Sequence, residues 1–319
     1  MKHTDAAIVG FCLAVAGAAV PALADEPADH PIVEALANGT PYIDVRFRYE
    51  HVDQDGLSKD ADATTVRTRI GFVTDEALAL SGRLEVERID PIGYQRFNST
   101  TNRNTAFPVV ADPAETELNR LYLQFKGIPD TILKGGRQRI NLDNARFVGS
   151  VPFRQNEQTF DSLAVVNTGL PDTRLFYGFV WNVNRVFGDG SESGNFRTNT
   201  HLFNGSYSGL GFVKPSAYVY LLDFTDPDKD NSSTATFGLR FTGKTAITEG
   251  WNALYTAEFA HQKDWAGSNV DNNHNYYTAE VGLGAIKLAS VLDLTAKVGY
   301  EVLDGDGTRA IQMPLATLF

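Results

Sequence analysis

Apolar and polar residues alternate strictly between Tyr42 and Val52. The apolar residues take one set of alternate positions: Ile43, Val45, Phe47 and Tyr49. The charged residues take the other set: Asp44, Arg46, Arg48 and Glu50. A period of two residues is typical of a β-strand, whose successive side chains point to opposite faces. Because one face is apolar along its whole length and the other is charged, the pattern predicts a strand that separates lipid from water.

The same alternation recurs along the chain and predicts thirteen strands in all. The predicted strands are Tyr42–Val52, Thr65–Val73, Leu78–Arg88, Asn119–Lys126, one that begins near Gly135, Phe160–Asn167, Thr173–Asn184, Thr200–Ser208, Ser216–Phe224, Thr234–Thr242, Trp251–Gln262, Tyr276–Ile286 and Leu292–Leu303. Aromatic residues such as Trp181 and Trp251 cluster near strand ends. Such clusters are typical of the interfacial girdles of a membrane barrel.

Long and short connections alternate between the predicted strands. The long connections are polar and rich in Asp and Asn: Asp53–Ala63, Asp90–Glu117, Leu142–Thr159, Arg185–Asn199, Thr225–Ser233 and Lys263–Asn275. The short ones carry Gly or Pro. Long outer loops and short periplasmic turns are typical of bacterial outer-membrane barrels. We therefore predict an all-β fold, a transmembrane antiparallel up-and-down β-barrel in the bacterial outer membrane.

The N-terminus predicts export. Lys2 and His3 precede an apolar run, Ala6 to Val20, and Ala22-Leu23-Ala24 gives a small-x-small cleavage site. The predicted organisation is a signal peptide over residues 1–24, a polar leader over 25–41 and the barrel over 42–319.

Charge places the candidate chemistry on the polar faces of the strands. A net charge of −11 and a sequence pI near 5.0 argue against general nucleic-acid binding. Arginines nevertheless recur on the predicted polar faces: Arg46, Arg48, Arg67, Arg69, Arg83, Arg120 and Arg240. Acidic residues predicted to hold the arginines in position are Asp44, Glu50, Glu85, Glu87, Asp143 and Glu157. Since a guanidinium offers a planar fork to a carboxylate, these arginines predict a path for anionic solutes.

Four further arginines lie in the stretch from Gly135 to Asp161, GGRQRINLDNARFVGSVPFRQNEQTFD. Alternation predicts that Arg137 and Arg139 share one face of a strand. A polar loop then carries Arg146 and Arg154.

This stretch, together with the closing IQMPLATL from Ile311 to Leu318, resembles the alginate export family of outer-membrane porins. The resemblance implies a monomeric barrel in outer-membrane lipid, with an arginine-lined lumen that passes an anionic polysaccharide or small organic anions. It puts Arg137, Arg139, Arg146 and Arg154 forward as pore-lining. Periplasmic export components are further candidate partners.

Two other classes of protein stay open. A non-transporting structural barrel would pair its charges across the lumen. An outer-membrane barrel enzyme, such as a lipase or protease, needs a clustered Ser, His and acid set, and because the sequence shows none we predict that the protein is not an enzyme. Asp226, Asp228 and Asp230 open with calcium-loop spacing, but Asn231 and Phe237 stand where Gly and Glu are required, so no metal or cofactor is predicted.

The predicted strand count bears on closure. Thirteen is odd, whereas bacterial single-chain barrels have even counts. Ile311–Phe319 is short for a closing strand and contains Pro314, which lacks a ladder donor. A truncated barrel that lacks further strands is therefore predicted over a closure by a fourteenth strand.

Overall fold

The computed structural model describes residues 4–16, 30–288 and 292–316. One antiparallel sheet joins all of its strands in chain order. The strands are β1 Thr4–Ala16, β2 Thr40–Gln54, β3 Ala61–Val73, β4 Leu80–Pro91, β5 Glu115–Ile128, β6 Thr131–Gln138, β7 Thr159–Asn167, β8 Thr173–Asn184, β9 Asn195–Tyr207, β10 Val213–Leu222, β11 Thr234–Thr248, β12 Trp251–Asp264, β13 Asn273–Leu288 and β14 Leu292–Leu303. A short helix, α1 Pro31–Ala37, precedes β2, and a 3₁₀ turn lies at Asp230–Ser232.

Strands β2 to β14 confirm the thirteen predicted strands and their up-and-down order. Several strands are longer than predicted: β9 begins at Asn195 and β11 continues to Thr248. The ladder of backbone hydrogen bonds extends past the apolar band, where alternation no longer marks a strand. Hydrophobic patterning therefore finds the membrane-spanning part of each strand and misses its continuation.

The two faces of the sheet follow the predicted alternation over β2 and β3. Phe47 and Ile70 are 44% and 61% exposed on the outward face. Arg48 and Arg69 are 2% and 6% exposed on the concave inner face. Because the chain buries its charges and exposes its large apolar side chains, the outward surface fits hydrocarbon and the inner face forms the lumen.

The connection between β6 and β7, residues 139–158, folds into the concavity of the sheet. We call it the inner loop. Its Arg154 pairs with Glu50 of β2 at 3.0 Å, and its Phe147 packs edge-on against Tyr276 of β13 with ring centroids 5.3 Å apart. The loop thus spans the lumen between the first and last parts of the sheet. It forms an apolar core with inward side chains of β7 to β10, β12 and β13.

Residues 311–316, which follow β14, also pack inside the lumen. Leu315 forms a parallel bridge with Val148 of the inner loop, and the Gly149 N–H donates to its carbonyl at 2.8 Å. Its side chain is fully buried. These residues therefore join the inner core, which differs from the closing strand considered for Ile311–Phe319. Residues 317–319 lie outside the described part of the chain.

The edges of the sheet bear on the predicted truncation. In the described residues β14 pairs with β13, β2 pairs with β1 and β3, and no pairing joins β14 to β2. Strand β1 lies within the predicted signal peptide, whose cleavage site at Ala22-Leu23-Ala24 is outside the described residues. The signal peptide and the truncated barrel both stay predictions.

No helix within residues 4–16, 30–288 and 292–316 is both long and apolar enough to cross a bilayer.

Removal of one inner-loop ring tests the inner core. Phe147 is 7% exposed and lies 5.7 Å from Tyr218, between ring centroids. We expect Phe147→Ala to lower the free energy of unfolding by about 3 kcal/mol, because truncation of a buried Phe leaves a cavity. Denaturant unfolding in detergent micelles, followed by tryptophan fluorescence, measures it.

The matched control is Phe237→Ala, which truncates the same side chain on the outward face, where Phe237 is 40% exposed. Its loss of stability should be clearly smaller. Equal losses in the two variants would show that the inner loop contributes no packed core.

Candidate functional site

Most arginines predicted to line the lumen form ion pairs with carboxylates, and four of them, Arg48, Arg67, Arg69 and Arg120, are buried. Arg48 pairs with Glu50 and Asp112, Arg67 with Asp44, and Arg69 with Glu87. Arg120 pairs with Glu85, and Arg240 with Glu258. Five of the six predicted supporting acids thus contact arginines: Asp44, Glu50, Glu85, Glu87 and Glu157. The sixth, Asp143, accepts a hydrogen bond from the Asn204 amide at 2.6 Å instead.

A β-bulge lets two donors reach one buried carboxylate. The β4–β5 register shifts at Glu85, so that Asn119 and Arg120 both lie buried on the inner face. The Asn119 amide donates to Glu85 Oε1 at 2.6 Å and the Arg120 Nε donates to the same oxygen at 2.8 Å. Bulges re-aim side chains in this way. The Glu85 side chain is fully enclosed, and these two donors satisfy its carboxylate.

Glu157 fastens the end of the inner loop to the sheet. Its Oε1 lies 2.6 Å from Arg139, and its Oε2 lies 3.5 Å from Arg69. The Asn119 amide donates to Oε1 at 2.8 Å. Glu157 is 3% exposed. Since burying a carboxylate is costly unless it is paired, these donors fix the loop in one position.

Arg46 holds the same loop, and within the described residues it has no carboxylate at ion-pair distance. Its Nε donates to Gln155 Oε1 at 2.8 Å, and its Nη1 donates to the Pro152 carbonyl at 2.8 Å. A further bond goes to the Arg154 carbonyl. At the other end of the loop Arg146 pairs with Glu301 at 2.7 Å. Arg46, Arg146 and Arg154 therefore position the loop.

Arg137 lies outside the lumen, which differs from the predicted position. It pairs across the ladder with Asp161, two residues from the Gly135–Leu163 pair, and Leu163 is 47% exposed outward. The Arg137 Nε lies 2.7 Å from Asp161 Oδ1. The physical reason is that Ile140, on the predicted apolar face, packs in the inner core rather than against lipid. The apolar side of this stretch is therefore its inner side.

A cavity of about 170 Å³ lies beside the inner loop. We call it the cationic cavity. Three cations line it: Lys134, Arg139 and Arg174. Amides and apolar side chains complete the lining: Gln124, Gln138, Asn141, Ile132, Ile140, Leu142, Ala164, Val166 and Phe176. No carboxylate is among these described lining residues, so the cavity offers positive charge without an internal counter-charge.

The register of β5 to β7 positions the cavity side chains. Lys134 lies between Gln124 and Ala164 on the inner face, and its ammonium lies 4.6 Å from the Tyr122 ring centroid. Arg174 of β8 lies over Phe176 at 5.9 Å. Within the described residues neither cation has a carboxylate at ion-pair distance. Both are free to receive an anion.

Lys134 and Arg174 were not among the residues predicted from the sequence. Lys134 precedes Gly135, where the predicted strand began, and inward neighbours of Arg174 such as Phe176 and Gly178 are apolar or small. Neither position therefore shows the strict alternation of charged and apolar residues that marked the other strands.

Of the predicted arginines, the structure brings Arg139 into this cavity, and its side chain is 33% exposed. Arg83 is half-buried and lies 5.4 Å from the Tyr42 ring centroid, with no ion pair in the described residues.

A further unpaired cation, also missed, lies among the long connections. Arg185 follows β8, and its guanidinium lies 4.3 Å and 4.8 Å from the ring centroids of Phe196 and Phe187. Within the described part of the chain it has no carboxylate partner. Burial lowers the pKa of Arg185 to about 10, so it stays charged at neutral pH.

No group of three or more His, Cys, Asp or Glu side chains is placed to hold a metal ion within residues 4–16, 30–288 and 292–316.

The sequential antiparallel sheet, its apolar outward surface and its charged inner face define an outer-membrane β-barrel protein. The sequence profile of the alginate export family matches residues 42–313. The chain belongs to the alginate export family, and its location is the bacterial outer membrane. No curated protein sequence matches it.

Solved structures with a similar fold include outer-membrane proteins of Pseudomonas aeruginosa. OccK9 (OpdG) aligns with a TM-score of 0.64 at 11% identity over 84% of this chain and 68% of its own. OpdK, solved with vanillate, gives 0.59 at 11% over 83% and 67%. OccD3 (OpdP) gives 0.54 at 12% over 77% and 54%. The chain thus spans about half to two thirds of the length of these proteins.

Neutralising Glu157 tests the fastening of the inner loop. We expect Glu157→Gln to lower the free energy of unfolding by about 3 kcal/mol, because it leaves the buried Arg69 and the half-buried Arg139 short of a counter-charge. Chemical denaturation in detergent micelles measures the change.

Asp90→Asn is the control, since it breaks the exposed Arg88–Asp90 pair, whose loss should change stability little. A Glu157→Gln variant as stable as the control would mean that the carboxylate charge does not hold the loop.

Proposed function

We propose that the protein is an outer-membrane porin for small anionic solutes and that the cationic cavity is its anion-contacting site. The observation that carries the proposal is the contrast between two sets of cations. Buried arginines such as Arg48 and Arg69 are neutralised by carboxylates. Lys134 and Arg174, which have no carboxylate at ion-pair distance within the described residues, converge with Arg139 on one cavity whose described lining has no acid.

The chemistry of the cavity suits a carboxylate in transit. An anion that enters a narrow lumen loses hydration, and the guanidiniums of Arg139 and Arg174 replace that water with planar paired donors. Glu157 shares the charge of Arg139, which keeps the attraction weak enough for release. Arg185, among the long connections, is a further cation with no carboxylate partner in the described residues.

The lining supports a small organic anion over a polyuronate chain. Ile132, Ile140, Val166 and Phe176 give the cavity an apolar lining beside the cations, which fits a solute with one carboxylate and an apolar body. A volume of about 170 Å³ holds a small molecule. OpdK, a protein of similar fold, was solved with vanillate, which is a small organic anion.

Charge reversal in the cavity tests the anion path. We expect Lys134→Glu and Arg174→Glu, singly and together, to shift the reversal potential in a salt gradient toward cations, because each replaces an unpaired luminal cation with an anion. Recording from single channels in planar bilayers measures the shift.

Arg197→Glu is the control, because Arg197 is exposed and pairs across the ladder with Asn182 on the outward side of β9. Equal shifts in cavity and control variants would assign selectivity to overall charge. An unmodified protein that conducts no ions at all would favour a structural barrel.

Solute size separates the two candidate substrates. We expect liposomes that contain the protein to take up a small aromatic carboxylate faster than a uronate oligomer, and Phe176→Ala to reduce this preference by widening the cavity. Osmotic swelling rates give the comparison, with a neutral sugar as the reference solute. Faster entry of the oligomer would support polysaccharide export instead.

A further inference from the structure

The outward surface of the sheet carries a recess over β8, β9 and β10. Leu175, Gly205 and Ala217 pair across these strands in one row. A groove of about 400 Å³ opens above them. Its sides include Val165, Tyr177, Phe203 and Val219. We call it the outer groove.

Small residues form the floor of the recess, and larger side chains form its sides. Gly205 has no side chain and Ala217 has one methyl group, while Leu175 and Phe203 are 44% and 43% exposed beside them. A Cβ at Gly205 would lie 3.3 Å from a Leu175 methyl carbon, so a larger residue would crowd the groove.

One wall of the groove is held in place by contacts within the protein. The Tyr177 hydroxyl lies 2.9 Å from His201 Nδ1, and its ring centroid lies 5.0 Å from that of Phe203. The wall residues are therefore fixed independently of any occupant, which makes the groove a preformed site.

The groove lies near the periplasmic ends of its strands. Leu175 is close to the start of β8 at Thr173, Gly205 is close to the end of β9 at Tyr207, and Ala217 is close to the start of β10 at Val213. These ends meet at short turns, which face the periplasm in outer-membrane barrels. The groove therefore opens into the inner leaflet.

We propose that the outer groove binds one acyl chain of an inner-leaflet phospholipid. The groove is continuous with the lipid-facing surface, so hydrocarbon rather than water meets its apolar walls. A chain seated in the groove gains dispersion contacts on several sides, whereas a chain on a flat wall gains them on one.

A polar side chain at the periplasmic end suits the lipid backbone. Asn167, which lines the groove, donates one amide hydrogen to Thr131 Oγ1 at 2.9 Å and accepts from the Gly169 N–H at 3.2 Å. An Asn amide has two donors, and within the described residues the second has no acceptor. It can donate to an ester oxygen of the lipid.

Lipid binding to the intact protein tests the proposal. Native mass spectrometry of delipidated protein titrated with a palmitoyl-oleoyl phosphatidylethanolamine should show one tightly retained lipid. Ala217→Leu, which fills the groove, should weaken this binding about tenfold or more, a change of about 1.4 kcal/mol in binding free energy. Asn167→Ala, which leaves the groove open, should weaken it less.

Ala257→Leu is the matched control, because Ala257 is exposed and pairs with the outward Phe241 on another part of the surface. It should bind lipid like the unchanged protein. Heat-modifiable migration in gels establishes that each variant is folded, and the Asn167→Ala result stands if Ala217→Leu fails to fold.

Equal lipid retention in all variants would overturn the proposal. So would a dimer that Ala217→Leu dissociates, since the groove would then be an interface with a second copy of the chain.

Discussion

The lumen depends on the buried contacts of Glu157 with Arg69, Arg139 and Asn119. Charged groups taken out of water are costly unless they meet opposite charge and hydrogen bonds in good geometry. Here one carboxylate near the end of the inner loop accepts from donors on β3 and β5 and from Arg139 at the start of the same loop. The position of the loop follows from that requirement, and the loop in turn separates an ion-paired region of the lumen from an apolar core.

The arrangement also explains how one protein keeps both neutralised and available cations. Arginines under the inner loop, such as Arg48 and Arg67, are almost fully buried, and their carboxylate partners make that burial tolerable. Lys134 and Arg174 reach a cavity instead. There, unpaired charge remains in contact with solvent or solute. The ion-paired arginines therefore stabilise the fold, and the cations without a carboxylate partner in the described residues can bind an anion.

The sequence predicted the strands well and the lumen less well. Alternation at Ile43–Glu50 reports a lipid face and a water face, so strand number and order follow from local pattern alone. Arg137 was misplaced because the apolar Ile140 contacts the inner core, and hydropathy cannot distinguish lipid from a protein interior. Lys134 of β6 and Arg174 of β8 matter because their side chains meet in one cavity. Convergence of that kind depends on register and loop placement, which a single strand does not encode.

The bridge between Val148 and Leu315 joins parts of the chain that are far apart in sequence. Contacts of such long range form late, because the intervening chain must be ordered before they gain anything. Neighbouring strands can pair as local hairpins without this bridge. We therefore expect the part of the inner core that Val148 and Leu315 share to close only after β14 is in place. On this reasoning the pairing of neighbouring strands precedes the completion of the inner core.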